Sequence, residues 1–176
     1  MKTRDLTLIA LSIALLIICS QLAFNIGPVP LTLQTLAVLL IAFNLKPVQA
    51  LIATSLYTFM GLVGLPVFAN WSGGAQTILS PTFGFILSFI VASYVASSLI
   101  HRHAKRTWQH YFVAATIATI LIYAIGMIYF AGIMNFYKGA NMPFSQIIAL
   151  TMLPFIPGDI IKAMLAVIVS QRLPQR

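Results

Sequence analysis

The chain of 176 residues consists of long apolar runs separated by short polar, Gly-rich or Pro-rich stretches. A helix that crosses the hydrocarbon core of a bilayer needs about 20 apolar residues. The runs predict six spans, at residues 5–24, 31–43, 48–63, 82–100, 110–134 and 157–172. The apolar stretch 144–155 is too short to cross alone, so Pro157 either starts or kinks the last span. We therefore expect a single all-α transmembrane domain over residues 1–176.

The span boundaries follow from residues that cannot continue a helix. Residues 25–30 contain two prolines, and each removes a backbone donor and disfavours helix in the residue before it. Residues 44–47 predict a tight turn that ends in Pro47. Residues 64–81 are rich in Gly, Pro and polar side chains, so we expect a long loop between the third and fourth spans.

Composition supports the membrane interpretation, because 60% of the residues are hydrophobic and 7% are charged. A soluble domain carries roughly 25% charged residues. The net charge of +8 would suggest nucleic acid in a soluble protein, but here the basic residues lie in loops between apolar runs. We expect no nucleic-acid partner and a lipid membrane instead. The first run is longer than a signal-peptide core and no cleavage site follows it, which predicts a retained helix.

The distribution of basic residues predicts the orientation. With six spans, eight of them share one side with both termini: Lys2, Arg4, Lys46, Arg102, Lys105, Arg106, Arg172 and Arg176. The opposite side carries Lys138, and Lys162 falls inside the last span. The positive-inside rule then places both termini in the cytoplasm and the Gly/Pro-rich loops outside, in a cell membrane. Irregular backbone at membrane depth is tolerated where protein buries it or a cavity hydrates it, so we expect a small-molecule site in the outer half.

The strongest candidate for function is the pair Asp159 and Lys162. The chain has two acidic residues, Asp5 and Asp159, and the second lies within apolar sequence. Ionisable residues in a membrane span are costly and usually functional. The i, i+3 spacing places the pair on one helical face, and Asp159 follows Pro157-Gly158 in the first turn of the last span. Substrate binding is the favoured interpretation, and an ion pair that locks the last span against a neighbour is the alternative.

Other candidate ligand contacts are weaker, since each of these residue types taken alone is more often a packing or loop residue. They are Gln34 and Thr35 at the start of the second span, and Asn70, Trp71 and Gln76 in the long loop. Gly73 and Gly74 permit a tight turn or a close ligand approach. Tyr57 and Tyr123 are interpreted as core or interfacial aromatic residues. Cys19 is alone, and the three histidines lie near the basic loop without Cys or carboxylate neighbours, so we expect no metal and no cofactor.

Motifs of catalysis are missing. The sequence contains no G-x-x-x-x-G-K-[ST] loop, so it cannot harness ATP by that route. The segment NWSG at 70–73 lacks the first glycine of an intramembrane serine protease motif. The segment IPGD at 156–159 lacks the first glycine of an aspartyl protease motif, and the chain has no second membrane aspartate. We therefore expect a binding protein and not an enzyme.

Five segments together resemble the BioY family, the biotin-specific S components of energy-coupling factor (ECF) vitamin transporters. They are GPVPLTLQT at 27–35, GLPVFA at 64–69, SGG at 72–74, SPTFGF at 80–85 and PFIPGDIIK at 154–162. The similarity covers nearly the whole chain, in the family's order. One departure is visible, because the family usually has GPTGGY where this chain has SPTFGF. Ser80 and Phe83 therefore change one wall of the expected site.

The resemblance implies a six-helix S-component bundle that captures biotin on the outer side. Energy would come from a transmembrane coupling protein with two ATPase subunits, docked on the small residues Ala10 and Ala14 of the first span. The implied ligand contacts are Asp159, Lys162, Asn70, Gln34, Thr35, Gly73, Gly74, Thr82 and Gly84. Asp159 would accept from the ureido N–H groups of biotin, whereas Lys162 would meet either the ureido oxygen or the carboxylate. A stand-alone carrier and a membrane-embedded enzyme are the alternative functions.

Overall fold

The computed structural model describes residues 3–24 and 29–173 and is mainly helical. Its α-helices are α1 (Thr3–Gln21), α2 (Gln34–Asn44), α3 (Pro47–Leu62), α4 (Phe83–His101), α5 (Trp108–Gly132), α6 (Phe144–Thr151) and α7 (Ile156–Arg172). A π-helical turn, Ile133–Tyr137, continues α5, and two 3-10 turns, Ala69–Trp71 and Ala75–Leu79, lie between α3 and α4. Residues 25–28 of the predicted helix break at 25–30, like Lys2 and Arg176, lie outside the described residues.

Within residues 3–24 and 29–173, three helices are long and apolar enough to cross a bilayer: α1, α4, and α5 with its π-helical turn. Helices α6 and α7 form a fourth candidate span, bent by 49° at the break between them. Helices α2 and α3 are apolar but shorter. Each of the six predicted segments therefore contains a helix, in the predicted order, but the first helix ends at Gln21 and not at Phe24, and the second begins at Gln34 and not at Leu31. The count of six membrane crossings stays a prediction.

The short connections follow from local hydrogen bonding. Pro47 opens α3, where its missing N–H is not needed, and the Gln49 side chain accepts from the Lys46 backbone N–H at 3.1 Å. The Asn44 side chain donates to the Leu40 carbonyl oxygen at 2.8 Å and to the Ser170 hydroxyl at 2.9 Å. The turn between α2 and α3 is thus attached to the last turn of α7.

A two-residue antiparallel ladder, which the hydrophobic pattern does not predict, flanks the undescribed residues. Strand β1 (Ala23–Phe24) pairs with strand β2 (Leu31–Thr32), with Ala23 opposite Thr32. Because β1 directly follows α1 and β2 directly precedes α2, the ladder holds the end of one helix beside the start of the next.

Helix α4 is the centre of the packing and contacts α2, α3 and α5. Its buried face carries small residues four apart: Gly84, Ser88, Ala92 and Ala96. Small residues allow close approach of helices in lipid, where burial of apolar surface provides little drive for association. The buried hydroxyls on α4 are bonded, as when Ser97 donates to the Leu45 carbonyl oxygen at 2.6 Å.

Gly84→Ala tests this close approach. A Cβ atom at Gly84 would lie 2.2 Å from the Cβ of Tyr129 on α5, an atom fixed to the backbone. We expect the substitution to destabilise the protein by about 1–3 kcal/mol, since overpacking forces backbone shifts. Thermal unfolding of the purified protein in detergent measures the change.

Gly132→Ala is the matched control, because a Cβ atom there meets nothing within 4 Å. It removes a glycine from the end of α5 and should leave stability unchanged or slightly raised. Equal melting temperatures for Gly84→Ala and the wild type would contradict the close packing of α4 on α5.

Candidate functional site

A cavity of about 510 Å³ lies among α2, α4, α5 and α7, next to the segment that joins α3 to α4. Pockets for small ligands usually have volumes of about 300–1,000 Å³ and combine apolar walls with a few polar groups. The phenylalanines of the lining are Phe68, Phe83, Phe85, Phe89, Phe130 and Phe155. The volume and lining suit a small organic molecule with an apolar body.

The polar centre of the cavity is the ion pair of Asp159 and Lys162. The Lys162 Nζ atom donates to Asp159 Oδ1 at 2.9 Å. The Tyr123 hydroxyl of α5 donates to the other carboxylate oxygen, Oδ2, at 2.5 Å. Asp159 and Lys162 are 8% and 4% exposed, and all three residues line the cavity. Both oxygens of a buried carboxylate therefore have a donor, as a buried charge requires.

The start of α7 explains the position of this group. The helical hydrogen bonding is interrupted between α6 and α7. Pro157 lies in the first turn of α7, where a proline is tolerated. Asp159 lies in the same turn, next to the positive end of the helix dipole, and Lys162 follows one turn later. Because α7 begins partway along the bundle, its first turn faces the cavity.

Gln34 at the start of α2 belongs to a chain of hydrogen bonds. The Thr32 hydroxyl donates to its Oε1 atom at 3.0 Å, and its Nε2 atom donates to the Tyr57 hydroxyl at 2.7 Å. The Tyr57 hydroxyl in turn donates to the Val67 carbonyl oxygen at 3.0 Å. Both ends of the Gln34 amide are thus occupied, which fixes its orientation beside the cavity.

The segment 63–82, which we call the cover segment, is attached to the end of α1. The Ser20 hydroxyl donates to the Val67 carbonyl oxygen at 2.7 Å. The Gln21 side chain donates to the Phe68 carbonyl oxygen and accepts from the Trp71 N–H, both at 3.1 Å. One amide side chain therefore holds two points of the cover segment.

The cover segment contains a sharp reversal at Asn70 and Trp71, each with a φ of 57°. Two successive left-handed residues that are not glycine are uncommon. The reversal brings Phe68 opposite Ser72, whose carbonyl oxygen accepts from the Phe68 N–H at 3.0 Å. Asn70 and Phe68 both line the cavity as a result.

Aromatic rings join the cover segment to the bundle. Phe68 packs edge-on against Tyr57 at 5.5 Å and against Phe83 at 6.3 Å, and Phe83 packs against Tyr129 at 6.1 Å. Such edge-to-face pairs contribute about 0.5–1.5 kcal/mol beyond burial. The Tyr129 hydroxyl donates to the Ile78 carbonyl oxygen, which attaches the far end of the cover segment to α5.

Six of the predicted ligand contacts line this one cavity, although they come from four separate parts of the chain. They are Gln34, Thr35, Asn70, Thr82, Asp159 and Lys162. Their contact with a ligand stays a prediction.

The three predicted glycines are not among the lining residues. A Cβ atom at Gly73 would lie 2.2 Å from the Leu65 carbonyl oxygen, and Gly74 has a φ of +100°. Both glycines therefore permit the fold of the cover segment, and Gly84 permits the contact of α4 with Tyr129. Ala10 and Ala14, the predicted docking residues, are exposed on α1.

Tyr123 was missed as a site residue, because its interpretation as a core or interfacial aromatic assigned no role to the hydroxyl. Its partner lies 36 residues away on another helix, so no local spacing links the two. A weak signal existed, since a tyrosine hydroxyl in an apolar helix needs a hydrogen-bond partner. Asp159 is the acidic residue within the apolar sequence and was the available acceptor.

Comparison with known proteins places this architecture in a family. The model of the BioY family matches residues 1–176. A probable biotin transporter BioY of Pyrococcus horikoshii is 36% identical, and the alignment covers 98% of each chain. The biotin transporter BioY of Thermotoga maritima is 32% identical over 97% of this chain and 95% of its own. The BioY2 biotin transporter of Lactococcus lactis is 36% identical over 95% and 88%.

A solved structure shares the fold. It is the S component for biotin from an ECF-type ABC transporter, which superposes with a TM-score of 0.83 at 25% identity and covers 98% of this chain and 93% of its own. The sequence match over the whole length and the structural match therefore agree, and the chain belongs to the BioY family.

Proposed function

We propose that this chain is the biotin-binding S component of an ECF-type transporter and captures biotin on the outer side of a cell membrane. One observation carries the proposal: the Tyr123–Asp159–Lys162 group stands in an apolar cavity of about 510 Å³. The names of the relatives and the solved neighbour support biotin as the ligand.

The chemistry of biotin complements the cavity. Its ureido ring offers two N–H donors and one carbonyl acceptor, and Asp159 can accept from the donors. The hydrogen bond to Asp159 uses one of the three donors of the Lys162 ammonium, so another can reach the ureido oxygen. The phenylalanine walls suit the apolar thiophane ring and chain. We therefore assign Lys162 to the ureido oxygen.

Transport in this proposal depends on partner subunits. The sequence has no phosphate-binding loop of the G-x-x-x-x-G-K-[ST] type, and the solved neighbour comes from an ECF-type ABC transporter. We propose a coupling protein and two ATPase subunits as partners, with docking on Ala10 and Ala14. These alanines lie one turn apart on an exposed part of α1, where small side chains permit a close helix contact.

The proposed topology has six crossings with both termini in the cytoplasm. Helices α2 and α3 are each a separate crossing in this arrangement, although they are shorter than the other spans. The loop between α4 and α5, with Arg102, Lys105 and Arg106, is then cytoplasmic. The cavity, whose lining includes Asn70 and Lys138, opens to the outside.

Asp159→Asn tests the ligand assignment. In the amide one of the two carboxylate oxygens becomes an NH2 group, so either the Tyr123 hydroxyl or the Lys162 ammonium faces a donor where it now has an acceptor, and the charge is lost. Hydrogen bonds to charged groups contribute about 1.5–3 kcal/mol, so we expect biotin affinity to fall roughly ten- to a hundredfold. Calorimetric titration with biotin measures the loss.

A thermal-stability measurement must accompany each titration, because removal of one member of a buried ion pair also destabilises a fold. Lys162→Met should weaken binding comparably. Tyr123→Phe, which leaves both charges in place, should weaken it less. Normal biotin affinity in well-folded Asp159→Asn protein would leave the pair with a structural role only.

Single-cysteine labelling tests the topology. With Cys19 replaced by Ser, a cysteine at the exposed position Ala104 should resist an impermeant reagent in intact cells and react after lysis. A cysteine at the equally exposed Ala140, before α6, should react in intact cells. The reverse pattern at these two positions would overturn the orientation.

Ala10→Trp and Ala14→Trp test the docking face. We expect a bulky side chain to abolish co-purification with the coupling protein and ATPases while biotin affinity is unchanged, since neither alanine lines the cavity. Ile120→Trp, at a 60% exposed position of α5, is the size-matched control. Retained complex formation in both alanine variants would refute the docking assignment.

Undiminished biotin uptake in cells without the ATPases would favour a stand-alone carrier.

A further inference from the structure

Lys138 gives the cavity a second positive charge, away from the ion pair. It follows the π-helical turn at the end of α5, and its N–H donates to the Ile133 carbonyl oxygen at 3.0 Å. Although it is an exposed loop residue, it lines the same cavity as Lys162, together with Phe130 and Met134 of the same helical stretch.

The two lysines differ in charge balance. Lys162 is neutralised by Asp159 at 2.9 Å. The acidic side chains of the chain are Asp5 and Asp159, and Asp5 lies in the first turn of α1. Since the last turn of α1 holds the cover segment, Asp5 is about 24 Å from the cavity end of that helix. An anion that enters the cavity therefore meets a neutral ion pair at one place and an excess positive charge at Lys138.

The polar groups that line the cavity along α5 and its continuation are separated by apolar residues. Tyr123 and Lys138 are 15 positions apart in the sequence, and both line the cavity. Phe130 and Met134, which lie between them in the sequence, line it with apolar surface. The cavity thus presents hydrogen-bonding groups, an apolar wall and a cation in sequence. Biotin has a ureido ring, an apolar middle and a carboxylate in the same order.

We propose that Lys138 receives the carboxylate of the ligand and so determines preference for the free acid over neutral derivatives. The inference rests on the proposed function and completes it, because Lys162 is then committed to the ureido oxygen. Lys138 lies at the exposed end of the cavity, where the carboxylate keeps part of its hydration. An ion pair in such a place discriminates modestly and is sensitive to salt.

Lys138→Gln tests the proposal with two ligands, biotin and its neutral amide, biotinamide. We expect the affinity for biotin to fall roughly two- to fivefold and that for biotinamide to remain unchanged, as is typical of an exposed ion pair. The preference of the wild type for biotin should shrink as salt rises, whereas the variant should show no salt dependence of that preference. Lys138→Arg keeps the charge and should retain the preference.

Lys105→Gln is the matched control, since it removes the same charge from an exposed loop that does not line the cavity. Its two affinities should equal those of the wild type. Equal losses for both ligands in Lys138→Gln would assign Lys138 a structural role and overturn the inference. Unchanged affinity of Lys138→Gln for both biotin and biotinamide would also overturn the inference, because the carboxylate would then bind at another residue. Failure of the wild type to bind biotin at all would instead refute the proposed function.

Discussion

The hydrogen-bonded group of Lys162, Asp159 and Tyr123 is the constraint on which the site depends. A carboxylate with 8% exposure in so apolar a chain requires compensation, and an ammonium and a hydroxyl provide it from two helices. The group also joins α5 to α7, so the helices on two sides of the cavity are fixed relative to each other. Replacement by apolar residues would serve packing equally well, which is why such a group indicates function.

The cavity lies where two helices, α2 and α7, begin partway along the bundle and not at its end. Helix α2 has 11 residues, about 17 Å of helix, whereas the hydrocarbon core of a bilayer is about 30 Å thick. Helix α7 begins after the bend that separates it from α6. Each helix places a polar side chain that lines the cavity in its first turn, Gln34 in α2 and Asp159 in α7. The small-residue face of α4 meanwhile lets its neighbours pack closely, and Phe83, Phe85 and Phe89 of the same helix line the cavity.

Local patterns in the sequence predicted the helical segments and the Asp159–Lys162 pair, because apolar run length and i, i+3 spacing are properties of neighbouring residues. Contacts between distant segments were not accessible in this way. The Tyr123–Asp159 hydrogen bond joins two helices, and the β1–β2 ladder has two residues per strand, too few for a periodic signal. For Gly73 and Gly74, the sequence indicated a tight turn or a close approach of a ligand. It did not indicate that the residue packed against Gly84 is Tyr129.

Gln21 connects the proposed docking helix to the cover segment, part of which lines the cavity. Its amide binds the cover segment at Phe68 and Trp71, and the helix that carries it is about 28 Å long. A tilt of α1 by about 10° around its first turn would displace Gln21 by roughly 5 Å, more than a hydrogen bond can stretch. The cover segment must then either travel with the helix or lose these bonds. The inclination of α1 is consequently coupled to the position of Phe68 and Asn70, so a force applied to one end of this helix is transmitted to one wall of the cavity.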